Sequence, residues 1–188
     1  MEMEIKDLKV TDQKYILQAA QLLVDCFKEN WPDAWPNLES ALKEVQECLS
    51  DDRICRIAVD EQDHVIGWIG GISQYKGNVW ELHPLVVEPN HRNRGIGTML
   101  VKDLEAQVRM RKGITIYVGS DDENGMTSLA GVDLYDNLPE RIRNIKNLKG
   151  HPYEFYLKLG FKIVGVLPDA NGVGKPDIFL AKRVVSYD

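Results

Sequence analysis

No stretch of this chain stays apolar for the length of a bilayer-spanning helix, so a membrane-crossing helix is not expected. The start, Met1-Glu2-Met3-Glu4-Ile5-Lys6-Asp7, lacks the basic segment and apolar run of a secretory leader, and the cytoplasm is the expected compartment. Cysteine is scarce: Cys26, Cys48 and Cys55 are odd in number, show no CxxC or metal spacing and sit among apolar positions, as reduced packing residues do. His64, His83, His91 and His151 are scattered without ligand spacing, so no metal is expected. No serine stands in a nucleophile elbow, which leaves serine-type covalent catalysis unsupported. Basic residues number 23 against 29 acidic ones, a net charge of -6 that argues against a nucleic-acid surface and suits a cationic small molecule.

What is present is an ordinary globular composition, 44% hydrophobic and 28% charged over 188 residues, with no linker, repeat or low-complexity tract. That length suits a single domain covering residues 1–188. Residues 3–10 read as a strand. Asp12 can cap a helix bearing Ile16, Ala19, Ala20, Leu23 and Phe27 on one face. After the loop Trp31-Pro32-Asp33-Ala34-Trp35-Pro36, a second helix carries Leu38, Ala41, Leu42, Val45 and Leu49. Residues 54–59 and 65–74 read as a hairpin turning at Asp60-Glu61-Gln62-Asp63. Strand 79–87, helix 97–110 and strand 114–119 make a right-handed crossover between parallel strands. Residues 124–148 are polar and mixed in pattern, with Pro139 placed to start a helical turn. Pro152 and Gly160 bound a short helix, and residues 163–167 and 178–185 close the chain as strands.

The segment from Val86 to Thr98 carries the most chemistry. An apolar strand runs into a basic, glycine-punctuated turn, Arg92-Asn93-Arg94-Gly95-Ile96-Gly97-Thr98, which opens a helix patterned by Ile96, Met99, Leu100, Leu104 and Val108. Backbone N–H groups of such a turn converge at the positive end of the helix dipole, and Arg92 and Arg94 add charge-assisted bonds. The turn is an anion site suited to a pyrophosphate. It lacks the Gly-Lys-Ser/Thr of the P-loop and the three-glycine spacing of the dinucleotide fingerprint.

The Arg-x-x-Gly-x-Gly pattern resembles the coenzyme A pyrophosphate loop of the GCN5-related N-acetyltransferases (GNAT). Trp80-Glu81-Leu82-His83-Pro84-Leu85-Val86-Val87 lies ahead of it and Tyr153-Glu154-Phe155-Tyr156-Leu157-Lys158-Leu159-Gly160-Phe161 beyond it, similar to the family's Tyr-x-Lys-x-Gly-Phe segment. With Ile114-Thr115-Ile116-Tyr117, Asp121-Asp122, His151-Pro152, Gly165-Val166-Leu167-Pro168, Ala170-Asn171-Gly172 and Lys175-Pro176-Asp177-Ile178, the series resembles the bacterial aminoglycoside 6'-N-acetyltransferases. The resemblance implies an α/β (α+β) fold with a mixed, largely antiparallel central sheet, one splayed parallel strand pair and flanking helices. It also implies acetyl-coenzyme A as co-substrate, an aminoglycoside as acceptor, direct attack in a ternary complex, and a homodimer.

On that resemblance, the main chain of Leu85, Val86 and Val87 pairs with the pantetheine arm, and Tyr153 borders the coenzyme. Arg92, Asn93, Arg94, Gly95, Ile96, Gly97 and Thr98 hold the pyrophosphate, and Tyr156 protonates the departing thiolate. Strand alternation by itself puts Glu81, His83 and Leu85 on the face opposite Trp80 and Leu82. A mid-strand carboxylate there can bind an acceptor ammonium or take its proton, the alternative being a structural ion pair. His83 is the second catalytic candidate on that face, the alternative being a histidine bonded to backbone. Acceptor recognition is expected at Trp31, Tyr75, Glu81, Asp121 and Asp122, since several ammonium groups need several carboxylates and a sugar ring suits an aromatic wall. For Asp121 and Asp122 a turn or a helix cap is the alternative. Two rival functions stay open at this point: acetylation of polyamines or basic peptide amines, and non-catalytic sensing of acetyl-coenzyme A.

Overall fold

The alternating pattern of residues 79–87 comes through in the computed structural model as β4 (Val79–Val87), whose even-numbered side chains are buried while the odd-numbered ones are partly exposed. The structure describes residues 3–29 and 31–187. They fall into two compact units, residues 1–114 and 115–188.

In the first unit β1 (Met3–Asp7), β2 (Arg53–Asp60), β3 (Val65–Gln74) and β4 form an antiparallel sheet in that order. β1 is shorter than the apolar pattern suggests: Leu8 still pairs its N–H with the Cys55 carbonyl, and the chain then turns. The β2–β3 turn is organised by Asp60, whose carboxylate accepts the N–H groups of Gln62 and His64. α1 (Gln13–Phe27) and α2 (Leu38–Cys48) bury Ile16, Ala19, Ala20, Leu23, Ala41 and Val45 in one core with Ile57 and Trp68 of the sheet. Asn37 caps α2 by accepting the Ser40 N–H at 3.0 Å. Asp12 does take the N-cap position of α1, its carbonyl accepting the Ile16 N–H at 3.0 Å, but its side chain makes no capping bond. Its carboxylate instead accepts the Lys9 N–H, which closes the preceding turn. α3 (Ile96–Met110) begins one residue before the expected Gly97 and buries Ile96, Leu100, Leu104 and Val108.

In the second unit β5 (Thr115–Asp121), β7 (Asp177–Arg183) and β6 (Lys162–Leu167) form a second antiparallel set with β7 central. The strands expected to run parallel, β4 and β5, thus fall one in each unit. α5 (Tyr153–Lys158) buries Tyr153 and Tyr156. The unassigned stretch contains α4 (Leu138–Arg143), with Pro139 in its first turn, and a bridge between Thr127 and Asn147. It is mostly loop because side chains, not a periodic apolar face, tie it down. The architecture is a mixed α/β fold with largely antiparallel strands flanked by helices. Cys26, Cys48 and Cys55 are free and buried. Among the described residues no helix is long and apolar enough to cross a membrane.

Candidate active site

The basic turn is built as a cradle in the first unit. β4 ends at Val87, a 3-10 turn covers Pro89–His91, and Glu88 pairs with His91 across it. Asn93 and Gly95 take left-handed backbone angles, φ 60° and 85°, and Gly95 is the residue from which α3 starts. Only glycine adopts the second of these without steric cost next to a helix start. Arg92 donates from Nε to the Val87 carbonyl at 3.2 Å, which ties the turn back to the strand. Arg92, Asn93, Arg94 and Gly95 are exposed, Gly97 and Thr98 are half-buried, and Ile96 is the apolar anchor below them. The first-turn N–H groups of α3 have no intrahelical acceptor. This donor set, two guanidinium groups included, fits a diphosphate, and no atom lies within 4 Å of the point where a Cβ on Gly95 would stand.

On β4 itself, a bulge sets the height of the key side chains. Leu82 is paired with Gly71 and Leu85 with Ile69, so His83 and Pro84 share the single residue Gly70. Gly70 is required because a Cβ there would meet the His83 carbonyl oxygen at 2.2 Å. The bulge leaves Glu81, His83 and Leu85 half-buried on one face, with Leu85, Val86 and Val87 on the outer strand of this unit's sheet.

Glu81 receives the Gln74 side-chain amide at 3.5 Å, so it is held from the neighbouring strand. His83 lies 3.6 Å from Glu44 of α2 through Nε2, and its ring centroid is 5.9 Å from that of Trp35. Trp35 stands edge-on to Phe27 at 4.6 Å, and Phe27 reaches Trp31 at 5.6 Å. The tryptophan loop between α1 and α2 is thereby anchored beside His83. His83, Arg53 and Trp35 together hold the Glu44 carboxyl below the usual carboxylate range against the opposing effect of burial, with His83 the largest influence. Tyr75 is 77% exposed, in a turn where it and Lys76 both have positive φ. That turn joins β3 to β4 next to Gln74, so Tyr75 presents its ring to solvent at the end of the strand pair that carries Glu81.

In the second unit, burial pushes the Tyr156 hydroxyl above the usual tyrosine range, so it keeps its proton at neutral pH. Its ring is fixed by Phe155 and Phe161 at 5.1 and 5.6 Å. Tyr153 is buried beside His151, its backbone N–H donated to His151 Nδ1 at 3.2 Å. The Nε2–H of His151 donates to the Asp121 carbonyl at 3.1 Å, which fixes a neutral ring joining α5 to the end of β5. The two aspartates part company. Asp121 is half-buried and accepts from Asn171 at 2.5 Å. Asp122 is 0% exposed, and its two oxygens accept the N–H groups of Met126 and Thr127 at 2.6 and 2.7 Å. The Asp122 carboxylate therefore organises the loop after β5. Among the described residues no cluster of acidic, histidine or cysteine side chains could hold a metal ion.

Sequence reasoning missed Glu44 and Gln74 as neighbours of the β4 face, whereas the loop of residues 31–36, readable from sequence as a lid over the acceptor or as core anchors, does bring Trp35 beside His83. Of the two missed, only Glu44 left a trace, as a carboxylate next to the buried Val45 on the apolar flank of α2.

Residues 16–129 match the family described as Acetyltransferase (GNAT) family. A crystal structure of an aminoglycoside 6'-N-acetyltransferase complexed with coenzyme A is 44% identical, with a TM-score of 0.90, covering 98% of this chain and 99% of that one. The aminoglycoside 6'-N-acetyltransferase from Enterococcus faecium is also 44% identical over 98% of this chain and 99% of its own, with a TM-score of 0.89. The aminoglycoside 6'-acetyltransferase type Ii is 39% identical over the same shares, with a TM-score of 0.75. No curated protein sequence matches the chain.

Proposed function

The chain belongs to the acetyltransferase (GNAT) family, and we propose that it transfers the acetyl group of acetyl-coenzyme A to the 6'-amine of aminoglycosides. The observation that carries this reading is the likeness, end to end, to aminoglycoside 6'-N-acetyltransferases, one of them complexed with coenzyme A. The two units make one catalytic domain on this reading, since those relatives are matched across both.

The roles follow from the chemistry of the residues. The turn from Arg92 to Thr98 holds the diphosphate with guanidinium and main-chain donors. Main-chain groups of Leu85, Val86 and Val87 pair with the extended pantetheine arm, and Tyr153 borders it. An ammonium cannot attack a thioester until it loses a proton. Glu81, held by Gln74, binds that cation and accepts the proton directly or through a water. His83 helps to place the amine, while Trp31, Tyr75 and Asp121 contact the sugar rings and the remaining ammonium groups. As the amine closes on the thioester carbon, the carbon–sulfur bond breaks, Tyr156 gives its proton to the leaving thiolate, and the proton shed by the acetylated nitrogen returns through solvent to restore the tyrosine. Direct attack makes positioning the main source of acceleration.

We place the enzyme in the cytoplasm, where acetyl-coenzyme A is available, and infer a homodimer. The support for the second inference is β6, an outer strand that exposes Val164 and Leu167. The test of function is thiol release with a drug panel and NMR mapping of the product. Kanamycin-type compounds with a 6'-amine should react, and analogues with a 6'-hydroxyl should not. Acetylation at another position, or activity confined to polyamines or peptides, overturns the substrate; coenzyme binding without turnover on any amine overturns the enzyme.

A further inference from the structure

Glu44 is a charged side chain, 18% exposed, on the flank of α2 that meets the functional face of β4. Its Oε1 stands 3.6 Å from His83 Nε2 and 4.0 Å from an Arg53 guanidinium nitrogen, and Arg53 in turn reaches Glu47 at 3.7 Å. Arg53 comes from β2 and His83 from β4, so the carboxylate links helix and sheet directly under the tryptophan loop. The same imidazole is flanked by Trp35, which is itself braced by Phe27. His83 remains 40% exposed on the other side. It is two residues from Glu81 on the same strand face.

We propose that Glu44 is a positioning residue for the acceptor site: it holds the His83 imidazole as the Nε2–H tautomer and leaves the Nδ1 lone pair to accept a hydrogen bond from the incoming amine beside Glu81. A neutral imidazole carries one donor and one acceptor nitrogen, and the partner of one nitrogen dictates the role of the other. A carboxylate facing Nε2 at 3.6 Å favours the tautomer that carries its proton there, which leaves Nδ1 as the acceptor of the neutral ring. Arg53 keeps Glu44 ionised and turned toward the sheet, which makes it a fixed acceptor and not a free cation-binding carboxylate. The two acceptors of the β4 face, Glu81 and His83 Nδ1, then meet an amine together. The acceptor role rests on the proposed amine acetylation; the tautomer does not.

The experiment compares the full-length wild type with Glu44→Gln and Glu44→Ala. Imidazole 15N NMR, with His83 assigned from the spectrum of His83→Gln, reads the tautomer, and steady-state kinetics with acetyl-coenzyme A and kanamycin read KM and kcat. The wild type and Glu44→Gln should both hold His83 as Nε2–H, because a glutamine oxygen also accepts, whereas Glu44→Ala should give an averaged mixture. Acceptor KM should rise roughly threefold to tenfold in Glu44→Ala, the worth of one hydrogen bond, with kcat little changed and Glu44→Gln restoring most of the loss. A His83 tautomer identical in all three proteins overturns the proposal. So does a Glu44→Gln variant as impaired in KM as Glu44→Ala, which would make Glu44 a direct binder of ammonium. If the wild type acetylates no aminoglycoside, the functional reading fails while the 15N comparison still decides what Glu44 does to His83.

Discussion

The carbonyl oxygen of His83 occupies the space that a Cβ on Gly70 would need, at 2.2 Å. The bulge that lifts His83 and Pro84 away from β3 thus depends on a residue without a side chain on the neighbouring strand. Cys48 Sγ lies 3.1 Å from the same point. Gly70→Ala should therefore push the His83 backbone outward, costing about 1–3 kcal/mol of stability as overpacking does. Acceptor KM should rise more than coenzyme Kd, because the Arg92–Thr98 turn is untouched. Denaturant unfolding and calorimetry check the two halves; a variant that matches the parent in both means that the bulge yields freely.

Gly97→Asp tests the anion cradle. A carboxylate in the first turn of α3 suits the helix dipole, so the fold should survive, but it faces the position of the diphosphate. Coenzyme affinity should fall by roughly tenfold or more, about 1.4 kcal/mol. Isothermal calorimetry with an unchanged Kd and a normal thermal transition would place the coenzyme elsewhere.

Glu81→Gln keeps the shape that Gln74 recognises and removes the negative charge and the basic site. kcat/KM for a cationic amine should drop by roughly a hundredfold or more, the usual worth of a general base, with coenzyme binding nearly unchanged. Parental turnover and acceptor KM across the pH range would leave Glu81 a structural partner of the β3 strand.

Tyr156→Phe removes the buried hydroxyl but keeps the ring against Phe155 and Phe161. A thiol of pKa about 8.5 leaves without much help, so the loss should be smaller than at Glu81 and confined to turnover. It should shrink further with thioesters of more acidic thiols. An equal loss with every thioester would assign the hydroxyl a positioning task.

His151 gives the fold a pH dependence of definite sign. Burial lowers its pKa below the ordinary 6.5 against the opposing effects of the Asp121 carbonyl and the Asp122 and Asp121 charges. The unfolded chain then binds more protons than the folded one in the window below pH 6.5, so the stability this neutral ring contributes is complete above pH 6.5 and is lost as pH falls toward the depressed value. Urea unfolding from pH 8 to 5 should show the gap between wild type and His151→Gln narrowing on the acid side. A gap independent of pH would mean that the imidazole titrates alike in both states.

Much of this molecule is legible in its sequence because the relevant physics is local. The apolar spacing from Ile96 to Val108 requires a helix, and the alternation along β4 places Glu81 and His83 on one face. The glycines around Arg92 to Thr98 announce a turn whose backbone can approach an anion. Each of these depends on neighbours within a few residues, where the periods of helix and strand act. The fate of individual polar groups was decided only in three dimensions. Asp121 and Asp122 are adjacent and chemically alike, yet one is half-buried against Asn171 and the other fully buried under loop N–H groups that only the folded turn brings to it. Glu44 meets His83, and Gly70 accommodates its carbonyl, through the packing of α2, β3 and β4. No periodicity encodes such meetings, because the energy of a contact between residues distant along the chain exists only after the core between them has closed.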